Sequence, residues 1–484
     1  MKSFLLSLSF IFIVSAGYAQ NSFSTEPAVF IDEFVKYMSQ SKKPEMAKMA
    51  ETFSKNWKSG KILPEQQKFI IKICNTMIYK AFARDPYFEL LLSNLDLYYQ
   101  KKFNPNLIKQ WQEITTALLE KNPKDYIFFL ETANSLFKDN TFTRNDARRW
   151  YASNSNFEFA FVKNRVVIKF KSLDLMCDSE LDKIRIFNCA GEYYPDKKIW
   201  MGTQGRVNWA RVDKPETEIY CTFTKHRIDL NGGTFVVDSA MLTYPKVSGS
   251  KIMGRLTERI SQSSSVEQIK ASPFPQFISY EPTIEIKGIV GDQAVYKGGF
   301  SIKGSKTNSQ SFGDGQATIV LLYKGKPFVE VSSNAFRLDS GKVMSQNASI
   351  KIKIDTGYIT HPGVIFNYNI TNKKMIVTKG TDGLMRMPFS DNYHGVEIDV
   401  EQVIWDQSKP YIDFDMINND KAAYVETNTF FKKFLFEKQQ GALSHNPLEK
   451  MFYYVKNNGR SFNLNAYAAS INTTKEFLRQ QIMD

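Results

Sequence analysis

Residues 157–171 read Phe-Glu-Phe-Ala-Phe-Val-Lys-Asn-Arg-Val-Val-Ile-Lys-Phe-Lys. Apolar and polar side chains alternate with period two on either side of Lys163-Asn164, the pattern of two strands joined by a tight turn. Upstream of this hairpin the apolar spacing is helical. Downstream, strand-like runs continue to about Phe430, among them Lys183–Phe187, Arg206–Val212, Glu218–Phe223, Thr234–Val237, Ile284–Ile289 and Ala317–Tyr323. Turn signals separate them: Asn231-Gly232-Gly233, Gly313-Asp314-Gly315, Lys324-Gly325-Lys326 and Thr381-Asp382-Gly383. The hairpin therefore divides an α region from a β region, and the expected class is α+β multidomain. It comprises an N-terminal all-α helical bundle, a long, mostly antiparallel all-β region and a short C-terminal helical segment.

The α region covers residues 20–140. Pro27, Pro44, Pro64, Pro86, Pro105 and Pro123 each open a segment of helical spacing. Proline suits the first helical turn because its missing N–H would have no partner there. Asp85, Asn104 and Asn122 precede three of these prolines and are placed to cap. Apolar residues then recur on one face: Phe30, Phe34 and Tyr37; Phe69, Ile70, Ile73 and Met77; Leu107, Trp111, Ile114 and Leu118. Six helices in so short a stretch suit stacked hairpins or a compact bundle, and the bundle is taken here.

Residues 141–156 are polar and read as a linker or capping helix. Residues 157–260 form a first β region, 261–275 a Ser- and Pro-rich linker, 276–430 a second β region and 431–484 the helical end. A β stretch this long folds either as two sandwiches or as a strand-stacked solenoid.

The extreme N-terminus has three parts. Met1-Lys2 is positive, Phe4 to Val14 is apolar apart from serines, and Gly17 and Ala19 are small residues at the positions a signal peptidase reads. Residues 1–19 thus read as a cleavable signal peptide that leaves Gln20 at the new terminus. The apolar run is well short of the roughly 20 residues a membrane span needs, and no transmembrane span is expected elsewhere. The expected location is outside the cytoplasm, in the periplasm or on the surface of a bacterium.

The chain has 484 residues, a formal charge of +13 and 43% hydrophobic residues, enough for several packed cores. The positive residues are interspersed with acids. This balance reads first as a charge that keeps the protein soluble, and second, in an exported protein, as a contact for anionic surfaces or glycans more than for nucleic acid. The partners expected are an envelope glycan, a lipid or another exported protein, and no nucleic acid. Of the four cysteines, Cys74 reads as a buried thiol, and one disulfide is open among Cys177, Cys189 and Cys221.

Two likenesses appear in the chain. From Val329 to Asp399, short rungs recur at near-even spacing (Phe328–Ser332, Ala348–Ile354 and Val364–Tyr368). In rhythm this region is similar to the periplasmic β-jelly-roll proteins of lipopolysaccharide transport. Residues 468–482 resemble a helix-turn-helix of the winged-helix kind. In that likeness Ala468 is the small residue between helices, Ile471 and Thr473 flank the turn and Asn472 takes the position usually given to glycine. Leu478 and Ile482 pack the second helix. The resemblance would imply DNA binding in a cytoplasmic protein, which the export signal opposes.

Two constellations carry chemistry. Glu397, Asp399 and Glu401 alternate along a strand, and Asp413 and Asp415 do the same beyond Trp405. If the two strands pair, five carboxylates share a surface, with Tyr393 and His394 at its edge. The first reading is a salt-bridge ladder, with Lys351 and Lys353, which alternate on their own strand, neutralising the acids across a sheet and no cofactor needed. Calcium, which prefers oxygen ligands, is a second reading, and a hydrolytic pair of acids a third. The second constellation is aromatic: Tyr193, Tyr194, Trp200 and Trp209 with Arg206 and Arg211. It reads either as a glycan-contact face or as core. No nucleophile elbow, zincin motif, phosphate loop or dinucleotide fingerprint occurs. The function expected is a non-catalytic structural or binding role in a bacterial envelope. The alternatives are a glycan-acting hydrolase using the carboxylate cluster and a lipid or lipopolysaccharide carrier with a β-groove.

Overall fold

The computed structural model describes residues 22–101, 103–121, 123–263, 265–286, 290–313, 315–339, 341–417, 421–427, 447–459, 463–475 and 478. The signal peptide expected at 1–19 lies outside these residues, as do Asn122 and Ile482. Among the described residues no helix is long and apolar enough to cross a membrane. The chain divides into two units. Of the described residues, the first comprises those within 22–207, 223–235 and 259–266, and the second the others.

The first unit begins with six helices: α1 (Pro27–Ser39), α2 (Pro44–Lys58), α3 (Pro64–Tyr79), α4 (Glu89–Gln100), α5 (Pro105–Lys121) and α6 (Pro123–Asp139). Five of them start on the expected proline. Pro86 instead lies in a short π-type turn, Arg84–Phe88, that leads into α4. Asn104 caps α5, its Oδ1 accepting from the Asn106 N–H at 3.0 Å. Helix α3 lies between α1 and α5, and α4 between α2 and α6, with α1 against α2 and α5 against α6, so the helical domain has two layers of three. Phe30 and Phe34 of α1 stack at 5.5 Å in its core.

The strands follow: β1 (Thr141–Arg144), β2 (Arg149–Ala152), β3 (Phe157–Val162), β4 (Arg165–Asp178), β5 (Lys183–Tyr194), β6 (Ile199–Asn208), β7 (Tyr220–Phe223), β8 (His226–Asp229), β9 (Thr234–Thr243) and β10 (Ile252–Arg259). Residues 141–156, expected as a linker or capping helix, thus carry two strands. The short apolar pairs there, Phe142 and Trp150, are buried against the first unit's sheet, and pairing with β4 overrides the polar composition. The hairpin β3–β4 turns at Lys163 (φ 51°) and Asn164 (φ 63°). Two left-handed residues in succession are what a two-residue turn between twisted strands requires. The expected strand Arg206–Val212 is cut at Asn208, and Ala210–Val212 forms a 3₁₀ turn.

Most of β7, β9 and β10 belongs to the second unit, in which the chain then runs through α7 (Val266–Lys270), β11 (Gln276–Ser279), β12 (Ile284–Ile286), β13 (Ala294–Gly298), β14 (Ser301–Lys303), β15 (Lys306–Asn308), β16 (Ala317–Tyr323), β17 (Lys326–Ser333) and β18 (Arg337–Asp339). It continues through β19 (Lys342–Ile354), β20 (Gly357–Asn369), β21 (Lys374–Thr378), β22 (Phe389–Asp391), β23 (Val396–Asp399), β24 (Gln402–Asp406), β25 (Asp413–Asp415) and β26 (Tyr424–Thr427). The described helices α8 (Pro447–Asn458) and α9 (Leu464–Ser470) end it.

The pairing has a simple rule. One row runs β11, β14, β15, β18, the first part of β19, the last part of β20, β21, β24, β25. The other runs β12, β13, β16, β17, the last part of β19, the first part of β20, β22, β23, β26. The chain crosses from one row to the other, turns, and crosses back. The rows face each other: Trp405 of the first row lies 4.6 Å from Phe328 of the second. The Tyr368 hydroxyl of the first row donates to Gln407, whose amide donates to the Leu322 carbonyl of the second. Long strands bent between two layers are one solution to closing a β core.

At each crossing the ladder breaks, and the backbone groups left there need partners. Serine supplies them. Ser309 Oγ accepts from the Phe336 N–H at 2.8 Å, and Ser279 Oγ from the Phe300 N–H at 3.0 Å. Ser333 Oγ accepts from Ala335 N–H, and Ser345 Oγ from Asn347 N–H, at 3.1 and 3.2 Å, and the two hydroxyls meet at 2.8 Å. His361 takes the role at the next crossing, its Nδ1 accepting from the Gly363 N–H at 3.1 Å. All five are buried. In the first unit the same device uses Ser153, whose Oγ accepts from Asp174 N–H at 2.8 Å, and Asp174, whose Oδ1 accepts from Asn188 N–H at 2.9 Å.

The C-terminal helices pack locally around Tyr467, Ala468 and Leu478. Asn472 has a left-handed φ of 55°, and Thr473 N–H returns to the Ala468 carbonyl at 2.9 Å.

Candidate functional site

The acidic residues do not gather on one surface. The chain crosses between rows just after Asp399, so β23, with Glu397 and Asp399, pairs with β22 and β26. Strand β25, with Asp413 and Asp415, pairs only with β24 among the described residues, in the other row. The pairing expected between the two acidic strands is therefore not formed. Lys351 and Lys353 are not the neutralising partners either, since Lys351 lies opposite Glu330 and places its ammonium over the Tyr358 ring at 3.8 Å. Two other lysines serve. Lys379, 12% exposed, reaches Asp399 at 2.5 Å, and Lys421 reaches Glu401 at 3.1 Å. Glu401 also accepts from the Ile417 N–H at 3.0 Å. These residues line a cleft of about 680 Å³ with Arg386, and Glu397, Asp413 and Asp415 stand outside it. Among the described residues no group of three His, Cys, Asp or Glu is spaced to hold a metal ion.

His394 lies beside a buried acid, Asp391, at 2.6 Å. Burial pushes the Asp391 carboxyl up. Hydrogen bonds from the His394 ring and from the backbone N–H groups of His394 and Tyr393 outweigh this and hold it below its ordinary value.

The aromatic residues fill cores. Tyr193 and Trp200 are 2% and 0% exposed within the first unit, and Trp209 is 0% exposed within the second. Tyr193 donates to the Phe142 carbonyl at 3.0 Å and Trp209 to the Pro275 carbonyl at 3.1 Å, so each polar handle is used internally. Tyr194, half-buried, donates to Glu192 at 2.6 Å. Arg206 faces Phe187 across the sheet, and Arg211 reaches Glu258 at 2.9 Å. None of the three buried rings offers a face to a sugar.

Trp200 has a second role. Its indole N–H donates to His226 Nε2 at 3.2 Å, and His226 Nδ1 lies 2.8 Å from the Thr224 carbonyl. One acceptor and one donor site fix a single neutral tautomer. Burial lowers the affinity of this ring for a proton, and the bond to Thr224 only partly restores it. His361 is held in the same way between Gly363 N–H and the Met387 carbonyl at 2.7 Å, and burial lowers its pKa also.

All four cysteines are buried thiols, and no disulfide joins any of them. The register explains why: Cys177 lies opposite Ile184 and Trp150, Cys189 opposite Leu173, and Cys221 opposite Leu242. Burial pushes the Cys189 thiol up to about 12, so it is not a nucleophile at neutral pH.

The crossings also shape the surface. In the second unit they border a cleft of about 860 Å³, where the buried hydroxyls of Ser309, Ser333 and Ser345 are followed in sequence by outward Gln310, Asn334 and Gln346. Lys303, Asn308, Arg337 and Asn347 complete its polar lining, and no carboxylate among the described residues lines it. In the first unit the crossings border a cleft of about 630 Å³ lined by acids and lysines together. There Lys169 meets Glu192 at 3.4 Å and Lys171 meets Glu158 at 3.0 Å. Sequence reading missed both clefts. The signal for the second-unit cleft is the recurring dipeptide of serine followed by an amide, at 309-310, 333-334 and 345-346.

Compared with protein families, characterised proteins and solved structures, the chain matches none.

Proposed function

We propose that this chain is an exported protein of a bacterial envelope whose role is structural and ligand-binding and not catalytic. The observation that carries the reading is the fate of the carboxylates. Asp399 and Glu401 are each held by one lysine, and the remaining acids of the strip are spread over two rows of strands. A glycoside-cutting pair needs two acids facing one another across a cleft, one kept protonated. A calcium site needs six to eight oxygens converging on a point. The arrangement suits neither. The amides and cations that line the second-unit cleft beside Ala335, Phe336 and Met344 can exchange hydrogen bonds with the hydroxyl and carboxylate groups of a glycan partner.

The test has two arms. Calcium titrated into the mature protein should leave its melting temperature unchanged, in the parent and in the Asp399→Asn/Asp413→Asn variant alike. Incubation with envelope glycans should leave their chain lengths unchanged. A calcium-dependent rise in melting temperature that the double variant loses would restore the metal reading. Shortened glycan would restore the hydrolase. Expression of the full chain in a bacterium should yield a periplasmic or surface product beginning at Gln20, and retention of residues 1–19 in a cytoplasmic product would defeat the localisation.

A further inference from the structure

The second-unit cleft has the properties of a binding site for one chemical class. Its amides are available: the side chains of Asn308, Gln310, Asn334 and Gln346 make no hydrogen bond to the described residues. The neighbouring serines, by contrast, spend their hydroxyls on the backbone breaks and on one another. The local pattern therefore turns the hydroxyl inward, where it satisfies the fold, and the following amide outward, where it serves nothing in the fold. Gln310, Asn334 and Gln346 come from three crossings that adjoin in the strand order β15, β18, β19. Paired strands lie about 4.8 Å apart, close to the length of one pyranose ring in an extended chain.

The two charged side chains that line the cleft are both cationic, and one of them, Arg337, is paired with Asp339 behind it. Lys303 and Arg337 line it, and Lys303 stands directly opposite Lys306 across the β14–β15 hairpin. Like charges at directly opposed positions destabilise a sheet, and neither lysine has an ion-pair partner among the described residues. Arg337 bonds Asp339 through its Nε at 2.6 Å. That contact leaves the two terminal guanidinium nitrogens, which are the ones that grip a carboxylate side-on.

We infer that this cleft binds an extended acidic polysaccharide. The outward amides Gln310, Asn334 and Gln346 take the hydroxyls of successive sugars, and Lys303 and Arg337 take uronate carboxylates. The inference rests on the reading of the chain as a non-catalytic binding protein and names the ligand class that such a protein would hold.

The test is calorimetric titration of the mature full-length protein with a uronic-acid oligomer and with the same oligomer after its carboxyls are reduced to alcohols. The acidic oligomer should bind at least tenfold more tightly at low salt, and the advantage should shrink as salt rises. Asn334→Ala/Gln346→Ala should weaken both ligands by about tenfold or more, the loss of two neutral hydrogen bonds. Lys303→Ala/Arg337→Ala should abolish the preference for the acidic form while leaving the reduced oligomer's affinity unchanged. Lys169→Ala, in the first unit's cleft, should change neither. The melting temperature of each variant should stay within about a degree of the parent, since these side chains are surface groups. The inference is overturned if neither oligomer binds, if both bind equally, or if both cleft variants bind as the parent does. Intact oligomer bound without help from the cleft residues would sink this inference alone. An oligomer shortened during incubation would sink the non-catalytic reading instead.

Discussion

The two units solve the same problem at their strand crossings with different chemistry. In the first unit, the breaks around β4 and β5 are held by Ser153 and by the Asp174 carboxylate, which also takes the Arg185 guanidinium at 2.5 Å. In the second, neutral hydroxyls hold the crossings from Ser279 to Ser345, and His361 takes over after them. The clefts differ accordingly: in one the lysines pair with acids of the same cleft, and in the other the lining amides and Lys303 make no such contact among the described residues. A charged anchor is stronger but occupies its neighbours, whereas a hydroxyl satisfies the backbone and leaves the surface for a ligand.

Each unit also buries one histidine beside a glycine, and the strongest way to break the comparison is at those glycines. A Cβ at Gly202 would lie 2.0 Å from the His226 ring, while one at Gly363 would meet Asn347 and Met385 at 3.2 Å. Gly202→Ala should therefore destabilise by about 3 kcal/mol. Gly363→Ala should cost less than about 1 kcal/mol, because the Met385 side chain can shift. Denaturant unfolding of the two variants checks this, and equal losses would show that the two histidine sites are packed alike.

The anchors come next. Asp174→Ala removes a charge-assisted pair together with a backbone acceptor and should cost about 2 kcal/mol. Ser345→Ala removes neutral bonds and should cost about 1 kcal/mol. A reversed order in chemical denaturation would mean that the carboxylate is no better an anchor than the hydroxyl.

Acid should act on both units. His226 and His361 have folded pKa values below the ordinary 6.5, so the unfolded chain binds protons at a pH where the folded chain does not. Their contribution is complete above about pH 6.5 and is lost as pH falls from there through the folded values. The slope approaches about 1.4 kcal/mol per pH unit for each group. Melting temperature followed from pH 7.5 to 5 should fall, and His226→Gln should flatten part of that fall. A profile unchanged by the substitution would place the titration elsewhere.

The smallest effect is expected from the surface pairs. Lys169→Ala in the first unit and Lys421→Ala in the second should each change stability by less than about 1 kcal/mol, and less still at high salt. A larger loss for Lys421 would show that the Glu401 pair organises its cleft.

Much of the fold was legible. Five of the six helix-opening prolines stand where helices start, and the Lys163-Asn164 turn is in place because its flanks alternate without ambiguity. Residues 141–156 were not legible as strands, since Thr141–Arg144 and Arg149–Ala152 are too short for periodicity to declare and gain their structure from β4. The candidate site was harder to read. Alternation placed Glu397 and Asp399 on one strand, but nothing local says that the chain changes rows at Val400-Glu401, which parts them from Asp413 and Asp415. Tyr193, Trp200 and Trp209 were visible as a group in the sequence, and burial removed them from the surface.

By itself the sequence determined the period of each segment, its helix starts and its tight turns, because these depend on neighbours within a few residues: a missing N–H at proline, a left-handed turn, an alternating face. Only the tertiary structure decided which strands share a row, which lysine neutralises which acid, and which side of a crossing faces water. Those outcomes depend on residues such as Lys379 and Asp399, or Ser333 and Ser345, that become neighbours only when strands stack. Short-range pattern carries no record of that stacking, because the backbone breaks it must satisfy exist only once two rows have formed.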